Sequence, residues 1–392
     1  MSPTTAATNL DLLPPELLLL ISQYLSTVDS TCLALCSHRF FTLPFGDFLY
    51  RPFPLGGLGS PAERIDLLTR LTRHLPEYYL CYACMRMHLW RHVNLPCPDF
   101  KLMKCYDDLP WDKRKSLCFS IFQIQFPTFS TYRFYWLHLY LTMRRYYLGP
   151  SFGIPLESLL YTEVTLKSLQ SAYYSQEQMS ETNLHPGKRT GLKSIEARIC
   201  PISPSLCLRI QELAIASRQS VSHLLPRKIH IEVCRHIGTY SSNFIEIINS
   251  LFESYRQQGH SFAGLSNNGK CHECNTAWDL DLREVEVDDV CLTLTRWKDL
   301  GPGLSPDDPR WRIHIPWGPY VSPVDTNDPR IRFEMHAQDP QGLSFDDMLA
   351  RNLALLQGRR YRRIMKKWGP GWWILQGHED ETKRSWSQCV VI

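Results

Sequence analysis

The 392-residue chain has almost no excess of either charge: 43 Lys and Arg stand against 39 Asp and Glu, a net of +4. A protein built to coat nucleic acid carries a dominant basic excess, so that class of function is set aside. Long apolar runs are also scarce. The best stretch, residues 119–143, is broken by Gln123, Gln125, Pro127 and Arg133, whereas a membrane-spanning helix needs about 20 mostly apolar residues. The opening residues lack the basic, apolar and small-residue succession of a secretory signal, and no Asn-x-Ser/Thr acceptor occurs. The chain is therefore expected inside the cell, in cytoplasm, nucleus or both. Its 14 cysteines are expected as thiols or metal ligands rather than a disulfide framework.

Catalytic signatures are missing as well. Thr182 stands where a phosphate loop ending in Gly187-Lys188 needs its first glycine. No Gly-x-Ser-x-Gly elbow and no His-Glu-x-x-His helix occurs. Acids and histidines are scattered, no catalytic set assembles, and the expectation is a protein that is not an enzyme.

What is present is apolar bulk: 44% of residues are hydrophobic and 21% charged, enough to bury a real core and to exclude wholesale disorder. The length fits two or three compact units. Residues 1–9 read as a frayed end, and residues 10–43 as a short helical module. Leu55–Pro61 is a Gly- and Pro-rich linker, and residues 62–75 carry a helical apolar period. A helix is expected over 132–149 and another over 156–174, then a polar, mobile loop over 175–193. Alternation predicts strands in 195–210 and 227–233, and a hairpin from 278–286 and 290–297. A helix is predicted over 244–255, loop over 301–330, and a helix from the Ser344-Phe345-Asp346-Asp347 cap through about Lys367. The fold class is α+β: a short helical module at 10–50, a mixed helix and strand body at 62–375, and a flexible tail at 376–392.

The clearest pattern begins at Leu12-Leu13-Pro14-Pro15-Glu16 and continues through Leu17, Leu18, Ile21 and Leu25. The prolines suit a first helical turn, and Glu16 suits the positive end of the helix dipole. Leu19 and Leu20 make the helix apolar nearly all round, so it must be covered by other elements or by a partner. Asp29 is expected to cap a second helix over 30–39 that presents Leu33 and Leu35, with Phe40 just beyond.

This segment resembles an F-box. The resemblance rests on Leu13, Pro14, Glu16, Leu17, Leu18, Ile21, Leu25, Asp29, Leu33, Leu35, Arg39 and Phe40; Ser30 and Thr31 stand where the family usually has two apolar residues. It covers about a tenth of the chain. It implies docking on a Skp-type linker and, through it, on a cullin ubiquitin ligase, to which the body would bring an unknown substrate protein. The partner face would then be Leu13, Pro14, Leu17, Leu18, Ile21, Leu25, Leu33, Leu35 and Phe40. Leu80-Cys81-x-x-Cys84, Met143-Arg144 with Leu148-Gly149-Pro150, and Trp297-Lys298-Asp299-Leu300-Gly301 are similar to phrases of filamentous-fungal F-box proteins. That likeness implies no particular substrate.

Two Cys-x-x-Cys pairs are candidate zinc ligands. On a continuous helix Cys81, Cys84 and His88 project within roughly 60° of one another, with Cys97 or Cys105 as a fourth donor and His92 a weaker one. Cys271 and Cys274, just before the expected hairpin, can be completed by Cys234 and His236. The chain ends Cys389-Val390-Val391-Ile392, which fits a prenylation signal at Cys389. One lipid gives only marginal membrane contact; a second attraction would come from the basic run Arg359–Lys367. These features frame the other reading, a zinc-stabilised, prenyl-anchored scaffold acting outside a ligase.

Overall fold

The structure, a computed structural model, describes residues 10–42, 60–82, 84–93, 96, 132, 134–168, 188–218, 231–234, 236–238, 241–258, 265–286, 289–314, 327–334, 343–357 and 372–375. It contains helices and antiparallel sheets, the expected α+β class. The chain divides into two compact units. The first takes the described residues up to Val93 together with Leu148–Gly153, and the second takes the others. No described helix is long and apolar enough to cross a membrane.

In the first unit, α1 (Pro15–Ser22) starts with proline in its first turn, and α2 (Thr27–Cys36) and α3 (His38–Thr42) follow. Leu18, Ala34 and Phe40 form their shared core, with Leu13, Leu25 and Leu33 packed around it. The cap of α2 is Ser26, not Asp29. Asp29 lies in the first turn, where its backbone N–H donates to Ser26 Oγ at 3.1 Å, and the hydroxyl in turn donates to the Asp29 carboxylate at 2.5 Å. Serine wins the position because Asp29 serves better three residues on, where it closes this reciprocal cap. Arg70 of α4 (Pro61–Thr72) takes the other carboxylate oxygen. The Ser26 hydroxyl and then Arg70 hold the Asp29 carboxyl below the usual carboxylate range. A capping box of Ser60 and Glu63 opens α4. Then β1 (Tyr78–Cys81) and β2 (Arg86–Leu89) form an antiparallel hairpin.

The second unit contains α5 (Trp136–Leu148, its last residue assigned to the first unit) and a seven-stranded antiparallel sheet. The strands are β3 (Tyr161–Ser168), β4 (Lys188–Cys200), β5 (Ser205–Ser217), β8 (Leu265–Lys270), β9 (Ala277–Glu286), β10 (Asp289–Asp299) and β11 (Trp372–Leu375). Their order is β11-β3-β4-β5-β10-β9-β8. A two-stranded ribbon of β6 (Glu232–Cys234) and β7 (Ile237–Gly238) lies between β5 and β8 in the chain. Helices α6 (Ser242–Gln258), α7 (Pro309–Arg312), α8 (Pro329–Glu334) and α9 (Phe345–Gln357) complete the unit.

The hairpin of β9 and β10, the strands within 195–210 and the helix around 244–255 match the sequence expectation. Three expectations are corrected. In place of the helix expected over 156–174, residues 156–168 give a 3-10 turn at Leu156–Leu159 and then β3, while 169–174 lie outside the described residues, because Thr162, Val164 and Thr165 suit a strand and a partner strand is there to receive them. The polar segment through Lys193 is strand from Lys188 onward, because β3 and β5 satisfy its backbone on both sides and Glu212 meets the buried Lys193 ammonium at 3.6 Å. The 301–330 segment is not all loop, since Asp308 caps α7. The described part of α9 ends at Gln357; the remainder of the helix expected to Lys367 lies outside the described residues, as does most of 227–233.

Directly opposed residues in the register share a face of the sheet. Arg209, Glu196, Trp297 and Ala277 lie on one face, and Ile210, Arg296 and Trp278 on the other. Helices α8 and α9 cover the first face: Phe333 and Phe345 pack on Cys200, Cys207, Ala277 and Trp297, and Leu349 packs on Leu192, Leu213 and Cys291. Phe244 of α6 meets the Trp278 ring edge-on at 5.3 Å on the second face. Burial of Phe244, Ile248, Leu251, Phe252 and Tyr255 marks one stripe of that helix.

Arg209 is wholly buried at the junction of sheet and helices. Its guanidinium donates to Glu196 at 2.6 Å, Glu334 at 2.9 Å and the Leu343 carbonyl at 2.7 Å. Arg209→Met leaves Glu196 with Arg351 alone and the partly exposed Glu334 with the Trp297 indole, and is expected to lower unfolding free energy by about 3 kcal/mol, read by denaturant titration. A loss under about 1 kcal/mol would show that the network is not structural.

His314 is also buried, and its Nε2 meets the Asp299 carbonyl at 3.0 Å. Burial, helped by the nearby Lys298 cation, lowers its pKa to about 4. The unfolded imidazole binds its proton near pH 6.5, so this contribution to stability is complete above pH 6.5 and is lost as pH falls towards 4. His314→Gln is expected to flatten the stability profile across that window; an unchanged slope refutes it.

Candidate metal centre

Two separate hairpin turns place Cys234, His236, Cys271 and Cys274 together, with their donor atoms all within 4.8 Å of one another. Cys234 ends β6 and His236 immediately precedes β7, while Cys271 and Cys274 occupy the turn from β8 to β9. The turn is closed by the Cys271 N–H donating to the Thr276 carbonyl at 2.8 Å. Asn275 takes the left-handed conformation, φ 51°, and Cys274 Sγ lies 3.2 Å from the Thr276 hydroxyl. All three cysteines are buried, and the His236 side chain is 13% exposed.

Around a tetrahedral ion with metal–sulfur bonds of about 2.3 Å and metal–nitrogen bonds of about 2.0 Å, neighbouring donors stand about 3.5–3.8 Å apart. Cys271 Sγ and His236 Nδ1 are separated by 3.6 Å, on that edge length. With Nδ1 facing the sulfurs, His236 Nε2 faces the Glu273 carboxylate at 3.6 Å, the outer partner that orients a metal-bound imidazole. The four residues can therefore hold a metal ion.

The electrostatics point the same way. Contacts with Cys234 and then Cys271 hold the Cys274 thiol far below its usual range, while the bond to Cys271 and then Cys274 pushes Cys234 well up. Three thiolates this close repel one another, so a cation is what lets all three ionise together. Three thiolates on a divalent ion leave one net negative charge. The buried Lys298 ammonium, lowered by burial, is supported in the opposite sense by Cys274 and Cys234. Glu273, Thr276 and Lys298 were not singled out from the sequence; the Glu inside Cys-His-Glu-Cys was the one local signal for them.

The first pair sits differently from expectation. Cys81, Cys84 and His88 are not on a helix but on the β1–β2 hairpin, with Cys84 Sγ 3.0 Å from His88 Nε2. Tyr78-Tyr79-Leu80 favours strand, and Met85 at φ 52° cannot continue a helix. The three donors nevertheless fall within 4.8 Å. The neighbouring Cys81 thiol and then burial push the Cys84 thiol well above its usual range, opposed by His88. His92 is exposed on the following turn and does not join the group. Cys97, Cys105 and Cys389, and the basic run 359–367, lie outside the described residues.

Of the expected docking residues, Pro14, Leu17 and Leu35 are exposed, and Leu13, Ile21, Leu25 and Leu33 are half-buried. Leu18 and Phe40 are 0% and 4% exposed and pack the module's own core instead of facing outward. Leu12, Leu19, Leu20 and Tyr24, not counted in the expected face, are 79%, 40%, 50% and 83% exposed. Their signal in the sequence was the helix being apolar on every side.

Comparisons of this chain with protein-family models, with curated proteins and with solved structures found no match.

Cys274→Ser is expected to remove the metal bound by this cluster, and Glu273→Gln to weaken its affinity about tenfold. Chelator competition on the purified chain measures both. Wild-type affinity in Cys274→Ser would exclude the assignment.

Proposed function

We propose that this protein is a non-enzymatic adaptor of the F-box kind, docking a Skp-type linker through α1 and α2 and carrying a target-binding body stabilised by zinc. The observation that carries the proposal is the outward face of those helices. Leu12, Leu17, Leu19, Leu20, Tyr24 and Leu35 are all exposed while Leu18, Ala34 and Phe40 already fill the module's own core. A three-helix module that has completed its core and still displays so many large apolar side chains is supported as a docking element rather than a cap on the body. The resemblance of Leu13–Phe40 to an F-box supplies the partner: the linker, and through it a cullin ligase. In this reading the body, with the covered sheet as its scaffold, receives a substrate protein.

The donor set supports zinc for the Cys234, His236, Cys271 and Cys274 cluster. Three thiolates and an imidazole suit a borderline-soft ion in tetrahedral geometry, and a closed four-donor set suits a structural role. Such an ion would tie the β6–β7 ribbon to the β8–β9 turn.

The test of docking is co-purification with a Skp-type linker. Leu17→Asp combined with Leu20→Asp alters exposed positions and leaves the core intact, so folding is expected to survive. Binding is expected to fall about a hundredfold or more, the size of loss from central interface residues. Undiminished binding by a folded double variant overturns the proposal.

A further inference from the structure

We infer that the β1–β2 hairpin holds a second metal ion, bound by Cys81, Cys84 and His88. This goes beyond the adaptor reading and does not rest on it. Two turns in the molecule share one construction. Among the described residues, the non-glycine positions with positive φ are Met85 and Asn275, at 52° and 51°. Each directly follows the second cysteine of a Cys-x-x-Cys pair, and each lies in the turn of an antiparallel hairpin. At that step the left-handed residue reverses the chain, so the returning strand comes back past the two sulfurs. In the second unit the pair joins donors from the β6–β7 ribbon. In the first unit the returning strand itself supplies the donor: His88 Nε2 stands 3.0 Å from Cys84 Sγ. Tyr79, directly across the ladder from His88, places its ring 5.8 Å from the imidazole and packs beside it.

The two clusters differ in exposure. Cys234, Cys271 and Cys274 are all buried, whereas in the first unit Cys81 is buried and Cys84 and His88 are half-buried. Half-burial of two of its donors leaves the hairpin ion easier for a chelator to reach. The fitting ions are zinc and its stand-in cobalt(II).

The experiment loads the full chain with cobalt(II) under reducing, oxygen-free conditions and counts bound metal per chain. Two equivalents are expected. His88→Gln and Cys84→Ser each lose one, Cys274→Ser loses the other, and the His88-dependent equivalent leaves first when a competing chelator is added. The inference is overturned if His88→Gln keeps the wild-type count, or if Cys81 and Cys84 are found joined as a disulfide under these conditions. Should Cys84→Ser fail to fold, the half-exposed His88→Gln decides. Loss of only the Cys274-dependent equivalent from the wild-type count would remove the closed centre and leave this one standing.

Discussion

Ionic side chains on β4, β5 and β10 point inward on both faces of the sheet, and each must meet an opposite charge before the covering helices can close over it. On one face Arg209 gathers Glu196, Glu334 and the carbonyls before α9. On the other Glu212 stands between Arg296 at 2.9 Å and Lys193 at 3.6 Å, and Arg296 also reaches the Glu232 carbonyl at 2.8 Å. An unpaired charge in either place costs several kcal/mol, so the layers fit together in one arrangement or leave a charge stranded. The β6–β7 ribbon is held to the sheet by the same arginine, because the Glu232 backbone carbonyl that accepts from Arg296 belongs to β6.

That anchoring matters for the metal cluster. Cys234 ends the strand whose first residue is fixed by Arg296, and Cys271 and Cys274 sit where β8 turns into β9. The donors are thus supplied by a strand end and two short hairpin turns, one closed by the Cys271 N–H donating to the Thr276 carbonyl, which lowers the cost of ordering them around an ion. Two residues in left-handed conformation, an asparagine in one hairpin and a methionine in the other, show how demanding this turn is. The methionine has no local hydrogen-bonding side chain to ease the conformation, so at Met85 the cost of about 1 kcal/mol is borne for the turn itself.

The first unit separates two duties within one set of leucines. Leu18 and Phe40 close a small core with Ala34, while Leu17, Leu19, Leu20, Tyr24 and Leu35 remain exposed outside it. Sequence patterns of this kind name a module's members without telling which of them face its own interior. That division depends on how α1 meets α2 and α3, which Ser26 fixes by capping α2 and Asp29 supports through Arg70.

The amino-acid order by itself determined the local features with short-range causes: the proline start of α1, the apolar period of α4, the Ser344–Asp347 cap of α9, the helix of α6, the β9–β10 hairpin and both Cys-x-x-Cys pairs. Each depends on residues a few positions apart, whose propensities, caps and periods are legible in the chain. The tertiary structure alone decided that Lys188–Lys193 is strand, since its polar side chains look like loop until Glu212 and the neighbouring strands are brought beside them. It alone decided that Cys81, Cys84 and His88 meet across a hairpin, where the same spacing also fits one face of a helix. The donor types already suggest that Cys234 and His236 complete the Cys271 and Cys274 pair, but the tertiary structure decided the geometry, which brings His236 to Cys271 across 35 residues, because long-range pairing is set by which strands lie side by side.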